Sequence, residues 1–231
     1  MPLGLPPQRQ LVKPKLKLPP SPRLSHKKII SPEEMQKLFD ATPKRYNENP
    51  GLIDLRWGSD RNTRILRDCC LLAILYHVGG RINEILSLQR RHLSQDEYGR
   101  LRVYIKYSKR SDRKGERHHV PMSKKATFRS HIEKYLEILP KDPETMLFKL
   151  TPVSAWMIVS DAFSNAYPAR SVKEKISPHS ARHTRATRIA EAGGTLGELM
   201  AWMGWKSPGT AQHYIDTSGV QLDSISEASS Q

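Results

Sequence analysis

With 231 residues, 37% of them hydrophobic, the chain can bury a core and need not belong to the disordered class. Thirty-eight Lys and Arg against 23 Asp and Glu leave a formal charge of +15, which points to a polyanionic partner, nucleic acid being the simplest. There is no run of about 18 apolar residues for a membrane span and no apolar stretch of a secretory signal in MPLGLPPQRQ, so no membrane is expected, and the setting is intracellular: cytoplasm or nucleoid, or the nucleus in a eukaryote.

Residues 1–30 read as a tail. They are rich in proline and carry Arg9, Lys13, Lys15, Lys17, Arg23, Lys27 and Lys28 with no acidic residue. Such a segment is expected to be extended or disordered, as a linker or as an arm along DNA phosphates. Ser31 opens the folded part. Ser31, Pro32 and Glu34 form a capping-box pattern for a helix running to about Ala41. RILRDCCLLAILYHV predicts a central helix over 62–78, closed by Gly79 and Gly80. Its adjacent Cys69 and Cys70 cannot form an ordinary mutual disulfide and read as small core residues. RINEILSL, from Arg81, starts another helix.

The period then changes. LRVYIKY and RHHVPM are two short strands, and the polar SKRSDRKGE between them is a hairpin tip. Helices are predicted over 124–138 and 153–166, with Pro140 to Pro143 as the loop between. SPHSARHTRATRIAEAGG has Pro178 early and glycines at its end, so it reads as a helix. TLGELMAWMG repeats the capping box with Thr195 and Glu198, and SPGTAQHYI is a short last helix. The rest, 217–231, is a polar tail. The expected fold class is mainly α with a small antiparallel β-sheet (α+β), in one domain over 31–216.

Several side chains in this frame suit phosphate-ester chemistry. His179 and Arg182, three apart near a helix start, share a face, and a helix N-terminus favours an anion. Arginine offers a planar fork of donors to a phosphate, and histidine exchanges protons near neutral pH. Trp205 follows Gly204 and can donate one hydrogen bond; Tyr214, nine residues on, can act as a covalent nucleophile. Arg81 follows a double glycine, which would let the backbone approach a ligand closely.

Four pieces in this order resemble the tyrosine recombinase (phage integrase) family: GGRINEILSL, the basic hairpin before VPM, SPHSARHTRATRIA and MGWKSPGTAQHYI. The resemblance covers about residues 31–216 and implies that family's catalytic-domain fold. It implies that Tyr214 attacks a scissile phosphate to form a 3′-phosphotyrosyl link and release a 5′-hydroxyl. Arg81 and Arg182 would hold the non-bridging oxygens, and His179 would assist proton transfer. Trp205 stands where the family usually has His and some members Trp; it would donate a hydrogen bond and pack against the nucleophile's helix. A hairpin lysine would protonate the leaving oxygen: Lys109 is assigned, with Lys114 its rival because the hairpin alignment can slide. Glu84, one turn after Arg81, would orient the site. No cofactor and no metal are implied, since arginines supply the positive charge. The implied partner is double-stranded DNA carrying a specific recombination site, with self-association as a tetramer on that DNA. Family members commonly carry a helical domain ahead of the catalytic one; with only residues 1–30 before Ser31, weaker and more salt-sensitive DNA binding is expected.

Other side chains have blander readings. His183 makes an H-x-x-x-H spacing with His179 that also suits zinc, but Ser180 stands where the zincin motif has Glu, and packing is the expectation. His118 and His119 are expected beside phosphate or exposed. Arg90, Arg91, Lys114, Lys124 and Lys125 are candidates for DNA backbone contacts. Rival functions are a type IB topoisomerase-like or telomere-resolving phosphotyrosyl enzyme and a catalytically silent DNA-binding relative.

Overall fold

The computed structural model describes residues 29–48, 60–106, 117–170 and 176–218. The basic tail over 1–28, most of the polar tail, and the hairpin tip with Lys109 and Lys114 lie outside the described residues.

Helix α1, Pro32–Ala41, starts as its capping box predicts: Ser31 Oγ accepts from the Glu34 N–H at 3.1 Å, and Glu34 Oε2 accepts from the Ser31 N–H at 3.1 Å. A five-residue helix α2, Lys44–Glu48, follows. It is too short for a helical period to register in the sequence. Buried Tyr46 anchors it by donating to Asp68 Oδ2 at 2.5 Å. Helix α3, Arg61–Val78, is capped by Asp60 and buried nearly all round from Asp68 onward, which makes it the central element. It contains Cys69 and Cys70, both buried free thiols; burial pushes Cys69 up to about 12. Gly79 ends α3 at φ 66°, the left-handed conformation that favours glycine.

Helix α4, Ile82–Leu86, is shorter than the RINEILSL pattern predicts. A 3₁₀ turn, Arg90–His92, leads into strand β1, Leu93–Gln95, which the sequence reading did not contain. Strands β2, Leu101–Lys106, and β3, Arg117–Met122, complete an antiparallel sheet in the order β1-β2-β3. Leu101, Val103 and Ile105 face the core while their neighbours face out. β3 lies at the sheet edge, which is where Pro121, lacking an N–H, is tolerated.

Helix α5 spans Arg129–Ile138, not 124–138. Residues 123–127 form a turn in which Ser123 Oγ accepts from the Lys125 N–H. Phe128 then takes φ 68°, which a helix cannot propagate. Its ring packs against Phe39 and Tyr76, with centroids 4.8 and 5.7 Å away, and that packing holds the backbone there. Helices α6, Pro152–Ala166, α7, Pro178–Glu191, α8, Leu196–Met203, and α9, Pro208–Ser218, follow the predicted pattern. The Thr195–Glu198 capping box is formed.

Two apolar clusters result. The larger gathers α1, α3, α4, α5, α6 and the sheet. The smaller consists of Ala186, Ala190, Leu199, Met203, Ala211, Tyr214 and Ile215, from α7, α8 and α9. Trp202 packs against both. No helix among the described residues is long and apolar enough to cross a membrane.

Candidate active site

Three helix ends meet where the clusters join. Arg182, 5% exposed, donates from Nη1 to the Gly79 carbonyl at 2.7 Å and from Nη2 to the Met203 carbonyl at 2.7 Å. One guanidinium thus satisfies carbonyls left over at the C-terminal ends of α3 and α8, where a cation also suits the helix dipoles. Gly204 caps α8 at φ 62° and turns the chain so that Trp205 follows with its N–H on the Met200 carbonyl. The Trp205 ring lies 5.5 Å from the Arg182 guanidinium carbon. Its other neighbour is the Tyr214 ring, stacked at 5.3 Å between centroids and 22° between planes.

Tyr214, 5% exposed, sits on the inner face of α9. Its hydroxyl is hydrogen-bonded to His183 Nδ1. The His183 ring meets the His179 ring edge-on at 4.5 Å. His179 and Arg182 do not share an environment as their spacing implied: His179 is exposed and Arg182 is buried. Burial pushes the Tyr214 phenol up to about 12, with Arg182 pulling the other way. Burial, and then the charge of Arg81, lowers Arg182 to about 10, so it remains a cation at neutral pH. Two guanidiniums close enough to repel make a site that an anion would relieve.

Arg81 caps α4 and is half exposed. Glu84, largely buried, accepts from Arg81 Nη1 at 2.8 Å through Oε1 and from its backbone N–H at 2.8 Å through Oε2. The carboxylate therefore fixes Arg81 while half of that side chain still faces solvent. The double glycine allows close internal packing. A Cβ on Gly79 would lie 2.8 Å from the Arg185 Cβ, and one on Gly80 would lie 2.7 Å from Ile85 Cδ1.

Two residues gain a place the sequence reading did not give them. His183 was expected to pack and instead holds the Tyr214 hydroxyl. His118 shares the inner face of β3 with Val120 and Met122, packs against Gly204 and feels the charges of Glu84 and Arg182. Burial lowers its pKa. The alternation in RHHVPM was the available signal: it sets His118 inward and His119 outward, beside Tyr104 and Arg102.

The other basic candidates have local partners or open positions. Arg90 donates to the Leu136 and Leu139 carbonyls at the end of α5, at 2.8 and 3.2 Å, and so is committed to capping that helix. Arg91 pairs with Glu144. Lys124 and Lys125 are exposed in the turn after β3. Among the described residues, no group of three or more His, Cys, Asp or Glu side chains could hold a metal ion.

The phage integrase family model matches residues 28–219. The chain is 31% identical over 206 residues to the tyrosine recombinase XerD of Chlorobaculum tepidum, covering 84% of this chain and 59% of that protein. It thus spans somewhat more than half the length of this curated relative. Among solved structures, the XerH site-specific recombinase bound to difH substrate aligns with a TM-score of 0.58 at 20% identity, covering 85% of this chain and 52% of that one. The catalytic domain of bacteriophage HP1 integrase aligns with a TM-score of 0.52 at 16% identity, covering 86% and 93%. The fold is that of these catalytic domains, and with the family match across most of its length the chain is a member of the phage integrase family, the tyrosine recombinases.

Proposed function

We propose that this chain is the catalytic part of a site-specific DNA recombinase that cleaves and rejoins strands through a 3′-phosphotyrosyl intermediate at Tyr214. The observation that carries the reading is the packing of a phenol against Trp205 beside Arg182, with Arg81 close enough to depress Arg182. In cleavage, Tyr214 Oη bonds to phosphorus and the bond to the 5′-oxygen breaks. Arg81 and Arg182 take the non-bridging oxygens and stabilise the charge that develops there. Glu84 holds Arg81 in place. Trp205 supports the nucleophile's ring, and its indole N–H is a further donor for the phosphate. A hairpin lysine, Lys109 or Lys114, gives the leaving 5′-oxygen its proton, and His179 assists proton transfer. The covalent link conserves the phosphodiester energy, so a 5′-hydroxyl from another strand reseals it without a nucleotide cofactor. The partner is double-stranded DNA with a specific site, recognised by a protein that assembles as a tetramer on it; Lys124 and Lys125 contribute backbone contacts.

The test is covalent trapping. A pool of nicked duplexes with a randomised core is incubated with the chain in EDTA and denatured, and protein-linked DNA is recovered and sequenced. A denaturation-resistant complex that Tyr214→Phe abolishes, on a recoverable consensus, is the expected result. Linkage without any consensus would favour a topoisomerase-like enzyme. No linkage from any duplex would overturn the enzyme reading in favour of a DNA-binding relative.

A further inference from the structure

We propose that His183 is the proton acceptor for the Tyr214 nucleophile, a catalytic role distinct from that of His179. The inference rests on the reading of Tyr214 as nucleophile. The Tyr214 hydroxyl bonds His183 Nδ1 directly, and the Tyr214 and His183 rings lie 5.8 Å apart at 37°. His183 stands on α7, which Ser177 caps and which Arg182 anchors to the C-terminal ends of α3 and α8. His179, one turn earlier, is exposed and meets His183 edge-on, which places it on the open side of the pair. Among the described residues, the charged and titratable groups at this pair include His179 and Arg182 on α7, and Tyr214 with His213 edge-on to it at 5.9 Å on α9; Trp205, stacked on Tyr214 just after α8, carries no charge.

The chemistry requires such a group. A phenol titrating near 12 is almost fully protonated at neutral pH, so attack needs an acceptor for its proton. Burial excludes bulk water from taking that role freely. Imidazole, neutral near pH 7, matches it. In the step, the Oη–H bond of Tyr214 breaks and Nδ1–H forms on His183, whose Nε2 already carries its proton. Oη–P forms and P–O5′ breaks, and the leaving 5′-oxygen takes a proton from the hairpin lysine. Rejoining runs in reverse: His183 returns the proton to Oη as the phosphodiester re-forms.

The duplex recovered by covalent trapping provides the test, in two versions. One has the ordinary 5′-oxygen at the scissile position. The other has a bridging sulfur, which leaves as a thiolate and needs no acid. The full chain is compared with His183→Gln, which can accept the phenol's hydrogen bond but cannot take its proton, with His183→Ala, and with Tyr214→Phe. His183→Gln should cleave both versions at pH 7 about 10²- to 10⁴-fold more slowly, the usual span for a general base. Its rate should climb steadily with pH toward the phenol's ionisation, whereas the wild-type rate levels off once imidazole is neutral. A merely positioning His183 would let Gln restore the rate and keep the plateau, and that result overturns the proposal. Should both variants misfold, His179→Gln on the sulfur substrate decides: a profile that still levels near an imidazole titration supports the proposal, and a rise continuing to the phenol's ionisation overturns it. Cleavage by Tyr214→Phe would instead remove the nucleophile reading itself.

Discussion

Gly204 separates backbone necessity from composition, because α8 contains a second glycine as its control. Replacing Gly204 by Ala puts a Cβ on a residue at φ 62° and brings that atom within 2.9 Å of His118 Cε1. The left-handed conformation costs a non-glycine residue about 1–2 kcal/mol. The His118 ring must shift as well, so the total is about 2 kcal/mol or somewhat more. Gly197 lies in the same helix with nothing within 4 Å of its would-be Cβ. Gly197→Ala should therefore stabilise by about 0.5–1 kcal/mol through helix propensity and a less flexible unfolded chain. For a domain of this size each kcal/mol moves Tm by about 2–4 °C. Thermal unfolding followed by circular dichroism should place Gly204→Ala about 4–8 °C below wild type and Gly197→Ala about 1–4 °C above it. Covalent DNA linkage at a temperature where both are folded should fall for Gly204→Ala only, because His118 and Trp205 flank that turn. Equal melting temperatures for the two variants would refute the assignment of Gly204 to a strained cap.

Arg182→Lys should lose DNA cleavage and about 2–3 kcal/mol in urea unfolding, because one ammonium cannot serve the Gly79 and Met203 carbonyls in the same fork geometry. Asp68→Ala should cost about 3–5 kcal/mol in the same assay, since it leaves Arg67 and the Tyr46 hydroxyl without their buried carboxylate. Burial lowers His77 to about 4, against a hydrogen bond to the Thr127 carbonyl that raises it. The native state therefore binds this proton less readily than the unfolded chain does. Stability should decline as pH falls from about 6.5 to about 4 and level off below, and His77→Gln should flatten that limb in pH-dependent denaturation.

Much of the helical frame was legible because its signals are local. Ser31 with Glu34, Thr195 with Glu198, and Pro178 after Ser177 each announce a helix start through hydrogen bonds closed within four residues. What the sequence left hidden depends on contacts distant in the chain. Phe128 reads as helix in sequence and is turned out of it by Phe39 and Tyr76. Strand β1 has three residues and exists because β2 offers it an edge. At the site, spacing grouped His179 with Arg182, but the angle between successive helix positions sends one outward and the other into the carbonyls of Gly79 and Met203. Arg90 reads as a surface cation until the end of α5 supplies its carbonyls. His183 could not be told from a packing residue without knowing where α9 lies.

The separation of the two apolar clusters makes availability of the nucleophile a matter of population. α9 is anchored in the smaller cluster by Ala211, Tyr214 and Ile215, of which only Tyr214 and Ile215 are large. Burying one such side chain contributes about 1.5–3 kcal/mol, so the docked helix is separated from an undocked one by a few kcal/mol while the larger core stays intact. The rate of any chemistry at Tyr214 is then an intrinsic rate multiplied by the docked fraction. A partner, a DNA strand or a substitution that disfavours docking beyond that margin lowers the docked fraction about tenfold for each further 1.4 kcal/mol and leaves the melting temperature of the main core where it was. The fold thus carries a throttle on its reactivity that measurements of global stability do not register.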